Sequence, residues 1–253
     1  MNFFFGINNE EFSSEIQIPT FQNRNPKCTN ISLYKAFIQK DIWKIEKLIS
    51  NRINDNFYIV KDDEISNYDI YFLANDKDLT IFKNNKLIDF NKFTNTSPSF
   101  RCNFKIYLKD GGFSSYQSEY PYSMITKKGS ILSSVNSIAN KDADKNYIFI
   151  RNIFEDPVIT EFNAYLVNIK NKKVEETIKI KTNFTNSFEI NASLIRPEIF
   201  LVTKDYLGVP MYVSVHEKHI SFEHTHPPHE YILSQNKYKI IKDIKNEINE
   251  IIG

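Results

Sequence analysis

All five histidines of this chain fall in one window: His216-Glu217-Lys218-His219, then His224-Thr225-His226-Pro227-Pro228-His229-Glu230. Imidazole is the commonest protein metal ligand, and its unperturbed pKa lies near neutral pH. Such clustering points to metal binding, proton transfer or a pH-responsive surface. Residues two apart on a strand share a face, with Cα atoms roughly 6 to 7 Å apart, so His224 and His226 can converge on one ion. Pro227-Pro228 then ends the strand, because neither proline has an N–H for the ladder and both fix φ. That presents His229 and Glu230 beyond the strand. The candidate metal set is therefore His224, His226, Glu230 and His229, with zinc, iron or manganese as the divalent ion. Were the site catalytic, Glu223 or Glu230 would be the base beside a metal-bound water.

The element that must position these groups is a hairpin. Met211 to Val215 and Ile220 to His226 would pair about the polar tetrad His216 to His219, setting Val215 against Ile220 and Val213 against Phe222. Met211, His224 and His226 then lie on the face of those apolar residues, and Ser214, His216, His219 and Ser221 face the other way. All five histidines cannot make one site on a flat ribbon. The turn is chemically unusual, since Glu217-Lys218 is not the Asn-Gly or Gly-containing pair that a two-residue turn prefers.

His224-x-His226 followed by Glu230 resembles the first metal-binding motif of the cupin family, in which two histidines and a glutamate hold a divalent metal inside a β-barrel. The resemblance covers seven residues. Where the family pattern has flanking glycines this chain has Lys218 and Lys237, and no histidine follows His229 to make a second motif. What the resemblance implies is confined to local ligation by His224, His226 and Glu230.

A second candidate region is Asp110 to Tyr122. Tyr116 and Tyr120 supply flat rings, and Gln117 and Glu119 supply hydrogen-bonding groups, the mixture that polar small-molecule and glycan sites use. Arg101 and Arg151, which flank it in sequence, would bind a carboxylate or phosphate bidentately. The plain alternative is a Gly111-Gly112 turn followed by an ordinary loop. No phosphate loop, dinucleotide fingerprint or nucleophile elbow occurs, and no residue is marked as catalytic by motif.

Composition narrows the function classes. With 253 residues, 41% hydrophobic and 14% aromatic, the chain can build a substantial core. Thirty-two basic against thirty-one acidic residues give a net charge of +1, with no long run of like charge. Nucleic acid is thus not an expected partner. Cys28 and Cys102 lack metal or redox spacing and read as buried thiols. No signal peptide or membrane span is legible, so the expectation is a soluble, cytoplasmic protein without a membrane partner.

The expected fold is mainly β with an α+β N-terminal part. From Ser32 to Ile53 the apolar residues recur at three and four, which predicts an amphipathic helix. Strands are expected at Phe57 to Val60, Tyr68 to Leu73 and Leu79 to Lys83, and Asn91 to Ser99 has linker chemistry. That divides the chain into an α+β domain, 1–95, and a β domain, 96–253. In the latter, Phe104 to Leu108, Tyr147 to Arg151, Val158 to Asn168, Lys173 to Lys181, Phe188 to Ile190, Ile199 to Thr203 and Met211 to Val215 predict an antiparallel β-sandwich or barrel. Lys237 to Ile252 predicts a closing amphipathic helix with Tyr238, Ile241, Ile244, Ile248 and Ile251 on one stripe. That stripe serves either packing on the sandwich or a homo-oligomer seam. The leading functional expectation is a β-sandwich binding protein with a His-rich ligand or divalent-metal site for a polar small molecule or glycan. The alternatives are a metal-dependent enzyme and a structural or oligomerisation subunit.

Overall fold

The structure, a computed structural model, describes residues 2–19, 31–49, 51–54, 57–75, 87, 101–125, 129–225 and 232–253. The fold is mainly β, in antiparallel sheets, with a single long helix at the C-terminal end among the described residues. It divides into two compact units. One holds Met1–Lys127, Ile153–Ile159 and Asn183–Thr185; the other holds Lys128–Asn152, Thr160–Thr182 and Asn186–Gly253. The linker chemistry of Asn91 to Ser99, the expected strand Leu79 to Lys83 and Cys28 all lie outside the described residues.

In the first unit, β1 (Asn2–Phe3), β2 (Phe12–Pro19), β3 (Ile31–Gln39), β4 (Ile42–Leu48), β5 (Arg52–Asn54), β6 (Phe57–Val60), β7 (Ile70–Asn75), β8 (Cys102–Leu108), β9 (Phe113–Ser118) and β10 (Tyr120–Pro121) follow in order. They make sheets β5-β6-β2-β8-β9, β4-β3-β7 and β1-β10. The aromatic N-terminal run is core: Phe3, Phe4 and Phe5 are buried, Phe3 against Phe72 and Phe5 against Phe104 in edge-to-face contacts. A later piece of chain is pinned into this unit by Asn183. Its carboxamide accepts from Phe154 N at 2.7 Å and donates to the carbonyls of Asp156 and Val158.

One expectation is overturned here. Ser32 to Ile53 is not a helix but the hairpin β3–β4, with β5 beginning at Arg52. The three-and-four spacing arises because both strands carry apolar residues on each face: β3 is the central strand between β4 and β7, and Leu33, Tyr34 and Ala36 are all buried. Ile, Phe, Tyr and Trp make up eight of the 22 residues from Ser32 to Ile53, and these residues favour pleated surfaces. The turn escapes notice because it contains no glycine. Lys40 and Asp41 both take positive φ, 52° and 56°, the backbone of a type I′ turn.

In the second unit, β11 (Leu132–Ser134), β12 (Lys145–Arg151), β13 (Glu161–Asn168), β14 (Lys173–Lys181), β15 (Thr185–Ile190), β16 (Ile199–Thr203), β17 (Val209–His216) and β18 (His219–His224) precede α1 (Lys237–Ile252). Thr185 of β15 belongs to the first unit. Sheets β11-β16-β13-β14 and β15-β12-β17-β18 share one core of Ile148, Ile150, Ile190 and Tyr212 with Ala164, Leu166, Ile180 and Leu201. This is a sandwich. β13 and β14 form an antiparallel hairpin across Lys170-Asn171-Lys172. Helix α1 lays Ile241, Ile244, Ile248, Ile251 and Ile252 on Leu132, Val167 and Val202, so the apolar stripe is covered within the chain. Tyr238, placed on that stripe by its spacing, is exposed instead. No helix among the described residues is long and apolar enough to cross a membrane.

The hairpin assignment has a direct test. Replacing Lys40-Asp41 with Asn-Gly relieves two positive-φ residues and is expected to stabilise the first unit by roughly 0.5–2 kcal/mol. A helix would be broken by the same pair, so a lowered denaturation midpoint would argue against the turn. Ile248→Ala should lower the stability of the second unit by about 2–4 kcal/mol in chemical denaturation.

Candidate functional site

The histidine-bearing segment starts from β17, whose residues Pro210 to Val215 are all buried. β17 and β18 pair as their hydrophobic pattern demands: Met211 with His224, Val213 with Phe222, Val215 with Ile220, and His216 with His219. His224 therefore lies on the face that holds Met211, Val213 and Phe222, opposite the sandwich core reached by Tyr212. At about 3.3 Å per residue, the His216–His219 end and the His224 end of this ribbon are roughly 16 Å apart. They are separate places.

At the turn, the chemistry that Glu217-Lys218 lacks is supplied from outside the hairpin. Glu217 takes φ 53°, and its N–H donates to Asp144 Oδ2 at 2.6 Å. The Asp144 N–H donates to Val215 O at 2.9 Å, and His216 Nδ1 stands 3.3 Å from the same carboxylate oxygen. The Glu217 amide, and secondarily His216, hold the Asp144 carboxyl below the ordinary aspartate value. Both side chains are more than half exposed, so this is a brace for the turn.

At the other end, His224 is about three-quarters buried, and its Nδ1 lies 2.8 Å from Glu223 Oε1. The same oxygen accepts the His224 N–H at 2.9 Å. A carboxylate on one ring nitrogen fixes the ring and its tautomer. The next residue is anchored inward. Ser133 Oγ donates to Thr225 Oγ1 at 3.0 Å and sits 2.7 Å from Tyr212 Oη. One hydroxyl proton serves one bond, so Tyr212 is the donor to Ser133, and the chain runs Tyr212 to Ser133 to Thr225. Ser133 is in one sheet and Tyr212 in the other, so this polar chain crosses the end of the sandwich where the histidine segment leaves it. No pattern in the residues marks Ser133, Tyr212 or Asp144, because isolated Ser, Tyr and Asp side chains leave no periodic signal.

His226, His229 and Glu230 lie outside the described residues. Among the described residues no three His, Cys, Asp or Glu side chains come together as a metal-holding group.

The second candidate region is spread over several environments. Tyr116 is buried against Phe104, its hydroxyl bonded to Ser118 Oγ at 3.1 Å. Tyr120 is wholly buried and donates to Ile153 O. Gln117 is exposed on the opposite side of β9 from Tyr116. Glu119 Oε2 is shared by Arg101 Nε at 3.1 Å and Asn2 Nδ2 at 3.2 Å. Arg151 is wholly buried in the second unit, whereas Arg101 belongs to the first. Cys102, also in β8, is buried, which pushes its thiol pKa up, and it donates to Ser118 O.

Comparison with known proteins finds no family model, no curated protein and no solved structure that matches this chain.

Two outcomes follow from this geometry. In an NMR titration the Asp144 carboxyl should titrate below 3.8, and His216→Ala should raise its midpoint only in part, because the Glu217 amide remains. A depressed carboxyl pKa stabilises the fold above the unfolded-state pKa and loses that contribution as pH falls through the folded value, so the turn should loosen only in acid. Tyr212→Phe removes the donor that crosses the sheets and should cost the second unit about 1–2 kcal/mol in chemical denaturation.

Proposed function

We propose that this chain is a binding protein whose ligand site is the His224 end of the second unit, with a divalent metal as the group it holds. The observation that carries the reading is the pairing of His224 Nδ1 with the Glu223 carboxylate on a residue anchored next door through Thr225. Metal-ligating histidines characteristically give their other ring nitrogen to a carboxylate, which sets the tautomer and raises ligand basicity. The strand below His224 is held by apolar packing, so the ring starts from a fixed post, as a preorganised site requires. The sequence places His226, His229 and Glu230 within six residues of it, a sufficient supply of nitrogen and oxygen donors for zinc, iron or manganese. An ion ligated by three of these four donors keeps a position for an oxygen donor, which suits a polar small molecule or glycan.

The test is metal content of untagged protein, followed by calorimetric titration with zinc, manganese and ferrous ion. The parent should hold about one equivalent of one of these ions. His224→Ala should abolish binding, and Glu223→Gln should weaken it on the order of tenfold with the fold retained, as loss of an orienting partner does. Absence of binding to all three ions, or binding indifferent to His224→Ala, would remove the proposal.

A further inference from the structure

The first unit ends its five-stranded sheet in an unusual edge. Among the described residues β9 pairs with β8 on one side only, and its sequence, Phe113-Ser-Ser-Tyr-Gln-Ser118, contains no charge and no proline. Bonding direction follows from the ladders on both sides of β8. Lys109 N bonds to Glu11 O toward β2, and Leu108 N bonds to Gly112 O toward β9. Alternation then gives Ile106, Phe104 and Cys102 to the β9 ladder, opposite Ser114, Tyr116 and Ser118. Phe113, Ser115 and Gln117 therefore aim their N–H and C=O groups away from the sheet. Their side chains are exposed as well, and Phe113 projects a ring that touches only Tyr107 among the described ring contacts.

Bare edges of this kind are templates for another strand, and proteins ordinarily blunt them with charge, shortness or cover. The other described edges show those devices. β4 carries Lys44, Glu46 and Lys47; β14 carries Lys173, Glu175, Glu176, Lys179 and Lys181; β18 carries Glu223 and two histidines; β15 carries Glu189. β5 and β11 are three residues long. β7 is uncharged but buried, and its Tyr71 exchanges two bonds with Phe4. Among the described edges longer than three residues, β9 alone is uncharged and exposed.

We propose that β9 is a self-association edge, pairing antiparallel with β9 of a second copy of this chain about a two-fold axis at Ser115. In that register Ser115 faces Ser115, and Phe113 faces Gln117 in both directions. All three facing pairs use residues whose backbone groups point outward, so each pair exchanges two hydrogen bonds. The match is isologous, as a two-fold interface must be, and an uncharged strand meets its own copy without opposing like charges. The Phe113 ring gains cover from the aliphatic stem of Gln117. This interface is independent of the metal reading and does not use the α1 stripe.

The experiment is sedimentation equilibrium of the full chain across a concentration series, beside Ser115→Lys, which opposes two ammonium groups at the axis, and Ser115→Pro, which removes an outward N–H. Neither change touches the β8 ladder, so circular dichroism and melting should be retained. The parent is expected to dimerise in the micromolar range. Ser115→Lys should weaken dimerisation by about tenfold or more, with Ser115→Pro weaker in the same direction. Amide exchange at Phe113, Ser115 and Gln117 in the parent should slow as concentration rises, a readout that needs no variant. A parent that stays monomeric at about 200 µM overturns the proposal, and so does a dimer in which these three amides gain no protection.

Discussion

Burial of β12 and β17 on both faces is the constraint that organises the second unit. Ile148, Ile150 and Tyr212 face the sandwich core, and Tyr147, Phe149, Met211 and Val213 fill the other side and are buried too. A strand apolar on both faces cannot slip by one residue without exchanging two differently shaped surfaces, so its partners are held in register. That register sets Met211 against His224 and Tyr212 against Glu223. Hence His224 and the residue beneath it are placed by the core. Side-chain burial thus determines which histidines share a face and which do not.

The chain reaches this fold with only six glycines, and its turns are built accordingly. Lys40, Asp41, Lys172, Asn183 and Glu217 take positive φ, at a cost of roughly 1 kcal/mol each relative to glycine. At two of these positions the cost is offset by named bonds. The Asn183 carboxamide makes three contacts to neighbouring backbone, and the Glu217 amide is received by Asp144. Polar side chains acting on backbone at a distance replace local turn chemistry. The same economy appears in the Tyr212–Ser133–Thr225 chain, where buried hydroxyls satisfy one another across the end of the sandwich.

The described histidines consequently stand in two separate places. His216 and His219 flank a turn braced by Asp144, whereas His224 is set by Glu223 and rooted beside an inward-pointing threonine. The residues of Asp110 to Tyr122 divide in a similar way. Tyr116 and Tyr120 supply core and Glu119 closes an ion pair, which leaves Gln117, with Phe113 and Ser115, on an uncharged edge.

Much of the architecture was legible in the residues, for a local reason. Alternation and composition located β6, β14, β16 and most of β12, β13 and β17; the apolar stripe located α1; and the pattern Val213-x-Val215 against Ile220-x-Phe222 located the hairpin register. These signals are carried by side chains a few positions apart along one element. The hairpin at Lys40-Asp41 was not legible, because a central strand with apolar residues on both faces mimics helical spacing and the turn has no glycine to mark it. The support of the candidate site was equally hidden: Ser133 and Tyr212 are 79 residues apart, and Asp144 meets Glu217 across 73. The sequence by itself determined the strand-rich class, the closing helix and the face on which His224 lies, since burial periodicity is local. Only the tertiary structure decided what braces the turn and anchors His224, since single polar side chains acquire partners through long-range packing that leaves no periodic trace.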